Sequence, residues 1–121
     1  MKEQRLFALR GATQCLNTKD DIRKNTTAMY DELLKKNKLS ETDLVSVTFS
    51  VTGDLDAINP AAALRQDGRA GEAALFVVQE AQFANSLERV IRVLIHCYLD
   101  DNAVPVHVYR NGAEILRPDR K

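Results

Sequence analysis

The residue in this sequence that most needs a chemical explanation is Arg92. It stands between Ile91 and Val93 in LERVIRVLIHCYL, residues 87–99, the most apolar run of the chain. An unpaired ion inside an apolar core is strongly destabilising, so this guanidinium must pair with a carboxylate, reach water or line a cleft. Glu80, at the end of the preceding apolar segment, is the natural internal partner. Two interpretations stay open: a structural ion pair of Arg92 with Glu80, or a cleft in which Arg92 meets a ligand.

Three further arginines, Arg10, Arg65 and Arg117, occupy the ends of apolar segments, and Tyr109 lies near the last of them. Taken singly, each has an ordinary explanation, because strand ends and helix faces commonly carry charge. Taken with Arg92, they form a set that is able to bind an anion. The 17 basic and 17 acidic residues of the chain cancel, so any such anion must be bound by local contacts rather than drawn in by an overall field.

Other kinds of chemistry find no support in the sequence. The possible metal ligands Cys15, His96, Cys97 and His107 show no CxxC or HxxxH spacing, and in a strand His96 and Cys97 would point to opposite faces. No GxSxG elbow supports a nucleophile, and no GxxxxGK[ST] or GxGxxG loop supports phosphate binding. The sequence therefore predicts neither a metal nor a cofactor.

Length, charge and cysteine content place the chain in a broad class. At 121 residues, with three prolines and five glycines, it fits one compact domain over residues 1–121. The balanced charge argues against nucleic-acid binding, and no apolar segment is long enough to span a bilayer or to form a signal-peptide core. Two cysteines without a repeating spacing are typical of reduced thiols, so we expect a cytoplasmic protein.

The first half of the sequence predicts a strand, a helix and a second strand. RLFALRGA, residues 5–12, predicts a strand that ends in a turn at Gly11, with Arg10 at its end. Residues 19–38 repeat apolar side chains at helical spacing and predict one long amphipathic helix, and SETD, residues 40–43, has capping-box spacing. The alternation of LVSVTFSV, from residue 44, predicts a half-polar strand. Its apolar face consists of Val45, Val47, Phe49 and Val51.

A short helix and a third strand are predicted next. Pro60 suits the first position of a helix that carries Arg65 and closes at Asp67 and Gly68. EAALFVVQE, residues 72–80, reads as a buried strand that ends with Glu80.

The last part of the chain contains the run 87–99 and a turn signal. The run fits either an amphipathic helix or a strand, and its β-branched residues favour the strand. In that strand one face would carry Val90, Arg92, Leu94 and His96, and the other Ile91, Val93, Ile95 and Cys97. The pair Asn111–Gly112 is the strongest turn signal in the chain and predicts a hairpin within residues 105–118.

These elements predict an α/β (α+β) fold with a mixed sheet of about five strands and one long helix on one face. One helix covers only one face of such a sheet, yet the strand 87–99 carries apolar residues on both. Something must cover the second face, and another copy of the same sheet is the economical candidate. We therefore expect a homo-oligomer whose interfaces are rich in these strand residues.

Five segments of the sequence together resemble a known enzyme family. They are LRGAT at 9–13, VTGDLDAINPAAALR at 51–65, QE at 79–80, LERVIRV at 87–93 and HVYRNGAEILRPD at 107–119. In this order, over nearly the whole chain, they are similar to the monofunctional mixed α/β chorismate mutases of the Bacillus type. The resemblance implies a pseudo-barrel trimer with active sites at the subunit interfaces, which agrees with the uncovered sheet face.

The resemblance also implies a reaction, the Claisen rearrangement of chorismate to prephenate on the shikimate route to phenylalanine and tyrosine. In this isomerisation an ether C–O bond breaks as a C–C bond forms, and partial negative charge appears on the ether oxygen. No nucleophile, metal, cofactor or proton transfer is needed. Catalysis then consists of positioning and electrostatic stabilisation.

By the same resemblance, Arg92 would donate to the ether oxygen, and Arg10 and Tyr109 would hold a carboxylate of the substrate. Glu80 would accept a hydrogen bond from the ring hydroxyl. The remaining pocket residues would be Asn59, Ala61, Ala62, Arg65, Phe76, Val77, Leu116 and Arg117.

Three of these positions depart from the residues common in the family: Asn59 replaces an aromatic residue, Ala62 a lysine and Val77 a cysteine. The first two are expected to shape the pocket mouth and to affect substrate affinity more than the chemical step. One non-catalytic alternative stays open. It is a trimer of the same architecture that binds a small carboxylate or a protein partner, with Arg92 and Glu80 merely neutralising each other.

Overall fold

Five strands and two helices make up the fold in the computed structural model, which describes residues 3–117. In chain order they are β1 (Gln4–Gln14), α1 (Lys19–Lys36), β2 (Leu44–Val51), α2 (Pro60–Gln66), β3 (Ala74–Gln79), β4 (Val90–Asp100) and β5 (Val108–Arg110). The strands form one sheet in the order β3-β2-β4-β1-β5. β4 is antiparallel to both β1 and β2, whereas β3 and β5 add to the edges in parallel. The predicted mixed five-stranded sheet is confirmed.

The long helix α1 covers one face of the sheet. Its N-terminus is capped by Thr18, whose hydroxyl accepts a hydrogen bond from the Asp21 N–H at 3.0 Å, and its last turn carries Lys35 and Lys36. Its buried stripe consists of Ile22, Asn25, Thr26, Met29, Tyr30 and Leu33. The shorter helix α2 contributes Leu64 to the same apolar core. Within residues 3–117, no helix combines the length and apolarity needed to cross a membrane.

The apolar run that carries Arg92 forms the central strand β4, so the strand interpretation is confirmed and the helical one is wrong. Its alternate residues Ile91, Val93, Ile95 and Cys97 are buried against the helices. Arg92 and its even-numbered neighbours point to the opposite face. The guanidinium therefore lies outside the main core, on the face of the sheet that α1 does not cover.

The predicted turn at Gly11 is wrong, because β1 continues to Gln14 and Gly11 pairs with both Val93 and Val108. This glycine is needed for close packing. A Cβ atom at this position would lie 3.0 Å from Leu33 Cδ1 of α1 and 3.1 Å from Val93 Cγ1. The strand runs on past Arg10, which pairs with Leu94 in mid-sheet. Arg10 is therefore on the same sheet face as Arg92 instead of at a strand end.

Two predictions about buried strand faces are also wrong. A β-bulge between Leu44 and Ser46 shifts the register of β2, which takes Val45 out of the apolar face and leaves it 45% exposed. β3 is an edge strand, not a buried one: Phe76 is 65% exposed and Val78 is 41% exposed.

The predicted hairpin near the end of the chain is wrong as well. Asn111 and Gly112 do form a turn, with φ of 53° and 99°, but the chain then enters a 3₁₀ helix at Ala113–Leu116. The Glu114 carboxylate accepts a hydrogen bond from the Gly112 N–H at 2.7 Å, which favours that helix over a returning strand. β5 instead pairs in parallel with β1.

The sheet face opposite the helices is open and partly apolar. Exposed large side chains of this face include Leu6, Phe76, Val78, Leu94 and Tyr98. An exposed apolar surface of this kind is typical of an interaction surface.

Candidate active site

The pair predicted from the sequence, Arg92 and Glu80, is present on the open face. Arg92 Nε lies 2.7 Å from Glu80 Oε1, and the two side chains are 35% and 18% exposed. Glu80 is held beside β2 because its backbone N–H donates to the Val51 carbonyl at 2.8 Å. The carboxylate thus reaches over the end of β2 towards the guanidinium.

Glu80 lines a separate cavity of about 170 Å³. A cavity of about 210 Å³ adjoins Arg92. Arg10, Arg92 and Tyr109 all line it, and the sheet register explains why: Ala12 of β1 pairs with Arg92 on one side and with Tyr109 on the other. Since Ala12 has a small side chain, space is left between the two larger ones. The cavity wall is completed by Gly11, Thr48, Ser50, Val93 and Leu94.

Two polar atoms of this cavity are buried and have no hydrogen-bond partner among residues 3–117: Nε of Arg92 and the hydroxyl oxygen of Tyr109. The short contact of Arg92 with Glu80 is therefore an ion pair in which the Nε–H bond does not point at the carboxylate oxygen. A buried polar group left unpaired costs roughly 1–3 kcal/mol. A polar ligand in the cavity would supply the missing partners.

The edge strand β5, which carries Tyr109, is held next to Arg10 by a hydrogen bond. The Arg10 N–H donates to His107 Nδ1 at 3.0 Å, just before β5 begins to pair with β1. Behind Tyr109, the side chain of Leu116 packs against a small buried cluster that includes Ala12. Arg117 follows as the C-terminal cap of the 3₁₀ helix and is half-buried. The arrangement places a cationic and a phenolic side chain on adjacent strands.

Comparison with known proteins identifies the family. The model of the family described as chorismate mutase type I matches residues 6–120. The chain belongs to the type I chorismate mutases. The resemblance stated from the sequence is confirmed, and the non-catalytic alternative is not favoured.

Individual relatives of the type I family agree with this assignment. The chain is 29% identical to chorismate mutase AroH of Bacillus subtilis strain 168 over 113 residues, covering 92% of this chain and 89% of that one. It is 38% identical to chorismate mutase AroH of Thermus thermophilus over 105 residues, covering 85% of each. A solved chorismate mutase from Clostridium thermocellum has 41% identity and a TM-score of 0.83, covering 90% of this chain and 98% of that one. The chain is an isomerase, a chorismate mutase of aromatic amino-acid biosynthesis.

Four of the pocket residues expected in a chorismate mutase lie on or beside α2, away from the cavity. Asn59 is the N-cap of this helix, and its Oδ1 accepts hydrogen bonds from the N–H groups of Ala61 at 2.8 Å and Ala62 at 3.3 Å. Arg65 is exposed on the last turn of the helix. Because α2 packs its buried side against the helix-face core, none of the four lines the cavity within this chain.

The two expected residues of β3 lie on opposite faces of the sheet. Phe76 pairs with the cavity residue Thr48 and is on the open face. Val77 pairs with the buried core residue Phe49 and packs against the core on the helix side. In this chain Val77 therefore points away from the Arg92 side of the sheet.

Sequence reasoning missed the polar side chains that β2 adds to the Arg92 cavity, those of Thr48 and Ser50. The period-two pattern placed both on the half-polar face of their strand, which was the only available signal. Their position opposite Leu94 and Arg92 depends on the register of β2 on β4, which includes the bulge near Ser46. A single sequence does not specify that register.

A wider cavity of about 530 Å³ lies between the end of β1 and the start of α1. Of its two arginines, Arg110 donates from Nη1 to the Asn25 carbonyl at 3.3 Å. Arg89 Nη1 lies 2.9 Å from Glu88 Oε1, while Arg89 Nε is buried without a hydrogen-bond partner among residues 3–117, and none of the expected residues Arg10, Arg92 and Tyr109 lines this cavity. Burial raises the pKa of the Cys15 thiol in this cavity to about 11, so the thiol is protonated at neutral pH. No three His, Cys, Asp or Glu side chains within residues 3–117 are grouped as a metal site. The Arg92 cavity is the better candidate site.

Proposed function

We propose that the chain rearranges chorismate to prephenate in the cavity beside Arg92. The observation that supports this placement is that Arg10, Arg92 and Tyr109 line one cavity, in which the Tyr109 hydroxyl is buried without a hydrogen-bond partner among residues 3–117 and Arg92 Nε is engaged only in the ion pair with Glu80. Chorismate is a dianion whose rearrangement moves electrons without a nucleophile. A site built of fixed donors is suited to that chemistry, because catalysis depends on binding the transition state more tightly than the substrate.

The guanidinium of Arg92 is the proposed electrostatic catalyst. As the ether C–O bond of chorismate lengthens, partial negative charge collects on the ether oxygen, and a donor already in place stabilises that charge without reorganisation. One such donor typically contributes about 3–4 kcal/mol to the barrier reduction. The ion pair with Glu80 holds the guanidinium in position while its Nη atoms make no hydrogen bond to residues 3–117.

Arg10 and Tyr109 are the proposed ligands of a substrate carboxylate. They lie on adjacent strands, and no residue between 3 and 117 forms an ion pair with the Arg10 side chain. Hydrogen bonds from a guanidinium and a phenol to a carboxylate are charge-assisted and fix the orientation of the ligand. Glu80 is the proposed acceptor for the ring hydroxyl, because a carboxylate in this position would repel either carboxylate of the substrate.

A homotrimer with active sites between subunits is the proposed assembly. The open sheet face with exposed Phe76, Leu94 and Tyr98 supports it, since such a surface is suited to burial against a second copy. The position of Asn59 and Arg65 on α2, outside this chain's own cavity, is accounted for if α2 of a neighbouring subunit closes the pocket mouth. In the same proposal Phe76, Leu116 and Arg117 border that mouth, and the free thiols Cys15 and Cys97 accord with a cytoplasmic location.

The test of this site is the variant Arg92→Lys, assayed by the loss of the ultraviolet absorbance of chorismate. A lysine keeps the charge but not the planar, fixed set of donors. We expect kcat to fall by about 10²–10³-fold with the circular dichroism spectrum and the oligomeric state unchanged. Arg69→Lys, at a surface ion pair with Asp31, is the matched control and should retain full activity. Full activity in Arg92→Lys would rule out this cavity as the site.

A further inference from the structure

Ser50 connects β2 to the Arg92–Glu80 pair. Its hydroxyl donates to Glu80 Oε1 at 3.0 Å, and this is the same oxygen that lies 2.7 Å from Arg92 Nε. Ser50 and Arg92 are direct partners in the antiparallel register of β2 and β4, so the two side chains emerge side by side on the open face. Both line the cavity. One carboxylate oxygen of Glu80 is thus contacted by side chains of two neighbouring strands, β2 and β4.

The geometry of this pair is unusual for an arginine and a carboxylate. Such pairs frequently form two parallel hydrogen bonds, with both carboxylate oxygens on the edge of the guanidinium. Here no hydrogen bond joins Arg92 to Glu80, and Glu80 Oε2 accepts none from residues 3–117. The Nη atoms of Arg92 and Oε2 of Glu80 are consequently left for other partners.

We propose that Ser50 is a positioning residue that prevents Glu80 from forming a bidentate hydrogen-bonded pair with Arg92. By holding Oε1 towards β2, the Ser50 hydroxyl limits rotation of the carboxylate. The ion pair then fixes the guanidinium without occupying the donors that the reacting ether oxygen needs, and Oε2 is free to accept from the ring hydroxyl. This inference rests on the proposed active site around Arg92.

The variant Ser50→Ala tests the inference. Without the hydroxyl, Glu80 is able to turn onto Arg92 and compete for its donors in the transition state. We expect kcat to fall about tenfold, the effect of losing one hydrogen bond to a charged group. KM should stay within about twofold, because Arg10 and Tyr109 still hold the carboxylate. An unchanged kcat in the folded variant would overturn the proposal.

Two further variants separate positioning from a general effect on structure. Ser50→Thr retains a hydroxyl at the same place in a strand and should restore kcat to within about threefold of the original. Ser46→Ala is the matched control, since Ser46 lies on the same face of β2 but contacts His96 Nδ1 at 3.3 Å instead of Glu80. It should retain full activity. Equal losses of kcat in Ser46→Ala and Ser50→Ala would contradict a role through Glu80.

A double-mutant cycle with Glu80→Ala provides the decisive readout. If Ser50 acts through Glu80, removing its hydroxyl in the Glu80→Ala background should cause no additional loss of kcat. An additional tenfold loss in that background would overturn the inference. Failure of the proposed site itself is distinguishable, because in that case Glu80→Ala and Arg92→Lys would also retain full activity.

Discussion

Arg92 and Tyr109 lie on either side of Ala12, one on each strand next to β1. Each places a buried polar atom without a hydrogen-bond partner among residues 3–117 beside the same cavity, although Arg92 Nε is ion-paired with Glu80. The unsatisfied Tyr109 hydroxyl is an energetic defect in the isolated chain. Defects of this kind are expected where a protein is built to bind a ligand rather than to be as stable as possible.

Tyr109→Phe should have opposite effects on the stability of the ligand-free protein and on substrate binding. Removing the unpaired hydroxyl should leave the free energy of unfolding of the ligand-free protein unchanged or raise it by up to about 1 kcal/mol. It should also raise KM about tenfold, because a hydrogen bond to the substrate carboxylate is lost. Urea titration and the chorismate assay measure the two quantities. Tyr98→Phe, on the same sheet face but 46% exposed, should change neither. A lower KM in Tyr109→Phe would contradict the proposed carboxylate contact.

Gly11→Ala should destabilise the protein by about 1–3 kcal/mol. The added Cβ would lie 3.0 Å from Leu33 Cδ1 and 3.3 Å from Met29 Sδ, so α1 must move away from β1. Urea denaturation at fixed protein concentration measures the change. The matched control is Gly71→Ala, where nothing lies within 4 Å of the new Cβ, and its stability should stay within about 0.5 kcal/mol. Equal stability of the two variants would show that the helix adapts without cost.

Ala62→Lys should lower KM for chorismate severalfold and leave kcat unchanged. The reason is that a cation at the proposed pocket mouth attracts the dianion without contacting the reacting bond. Gln66→Lys, on the exposed last turn of the same helix, adds the same charge elsewhere and should leave KM nearly unchanged. Steady-state kinetics at low ionic strength makes the comparison. The same KM in Ala62→Lys as in the original chain would contradict the placement of α2 at the mouth.

Alkaline pH should weaken the fold partly through Cys97. Burial raises the pKa of this thiol from its ordinary value of 9.0 to about 11. The neutral thiol is therefore favoured in the folded state, and its contribution to stability is complete below pH 9 and is lost as the pH rises from 9 to 11. Between pH 9 and pH 11, the free energy of unfolding should therefore fall in both proteins, but by up to about 2 kcal/mol less in Cys97→Ala than in the original chain. If urea titrations gave the same dependence of the unfolding free energy on pH for both proteins, ionisation of Cys97 would not contribute to the loss of stability at alkaline pH.

The sequence predicted those parts of the fold that depend on local pattern. The helical spacing of 19–38, the capping box at Ser40 and the helix beginning at Pro60 all appear in the structure. The alternation within 87–99 also predicted correctly that Arg92 faces away from Ile91 and Val93. These features are set by side-chain periodicity and cap chemistry, both of which a single sequence contains.

Most of the errors share a physical cause, because they depend on contacts between distant parts of the chain. The predicted hairpin is the exception, since a local hydrogen bond between Gly112 and Glu114 favours the 3₁₀ helix. Gly11 was read as a turn, whereas it is required by the approach of α1, a contact that local sequence does not record. Val45 leaves its face through a bulge in the pairing with β4, and Phe76 is exposed because β3 is at an edge. The role proposed for Ser50 depends on the same register. Strand order and register had to be known before these residues could be interpreted.

The alternation of β1 and β4 side chains between the two faces of the sheet has a practical consequence for protein engineering. Side chains at odd-numbered positions such as Leu9 and Ile95 are buried against the helices, whereas those at even-numbered positions such as Arg10 and Leu94 line the cavity, which Gly11 and Val93 also border. Libraries that optimise thermal tolerance can therefore vary one set, and libraries that alter substrate preference can vary the other. Because the two sets are on opposite sides of the backbone, gains from each should combine nearly additively.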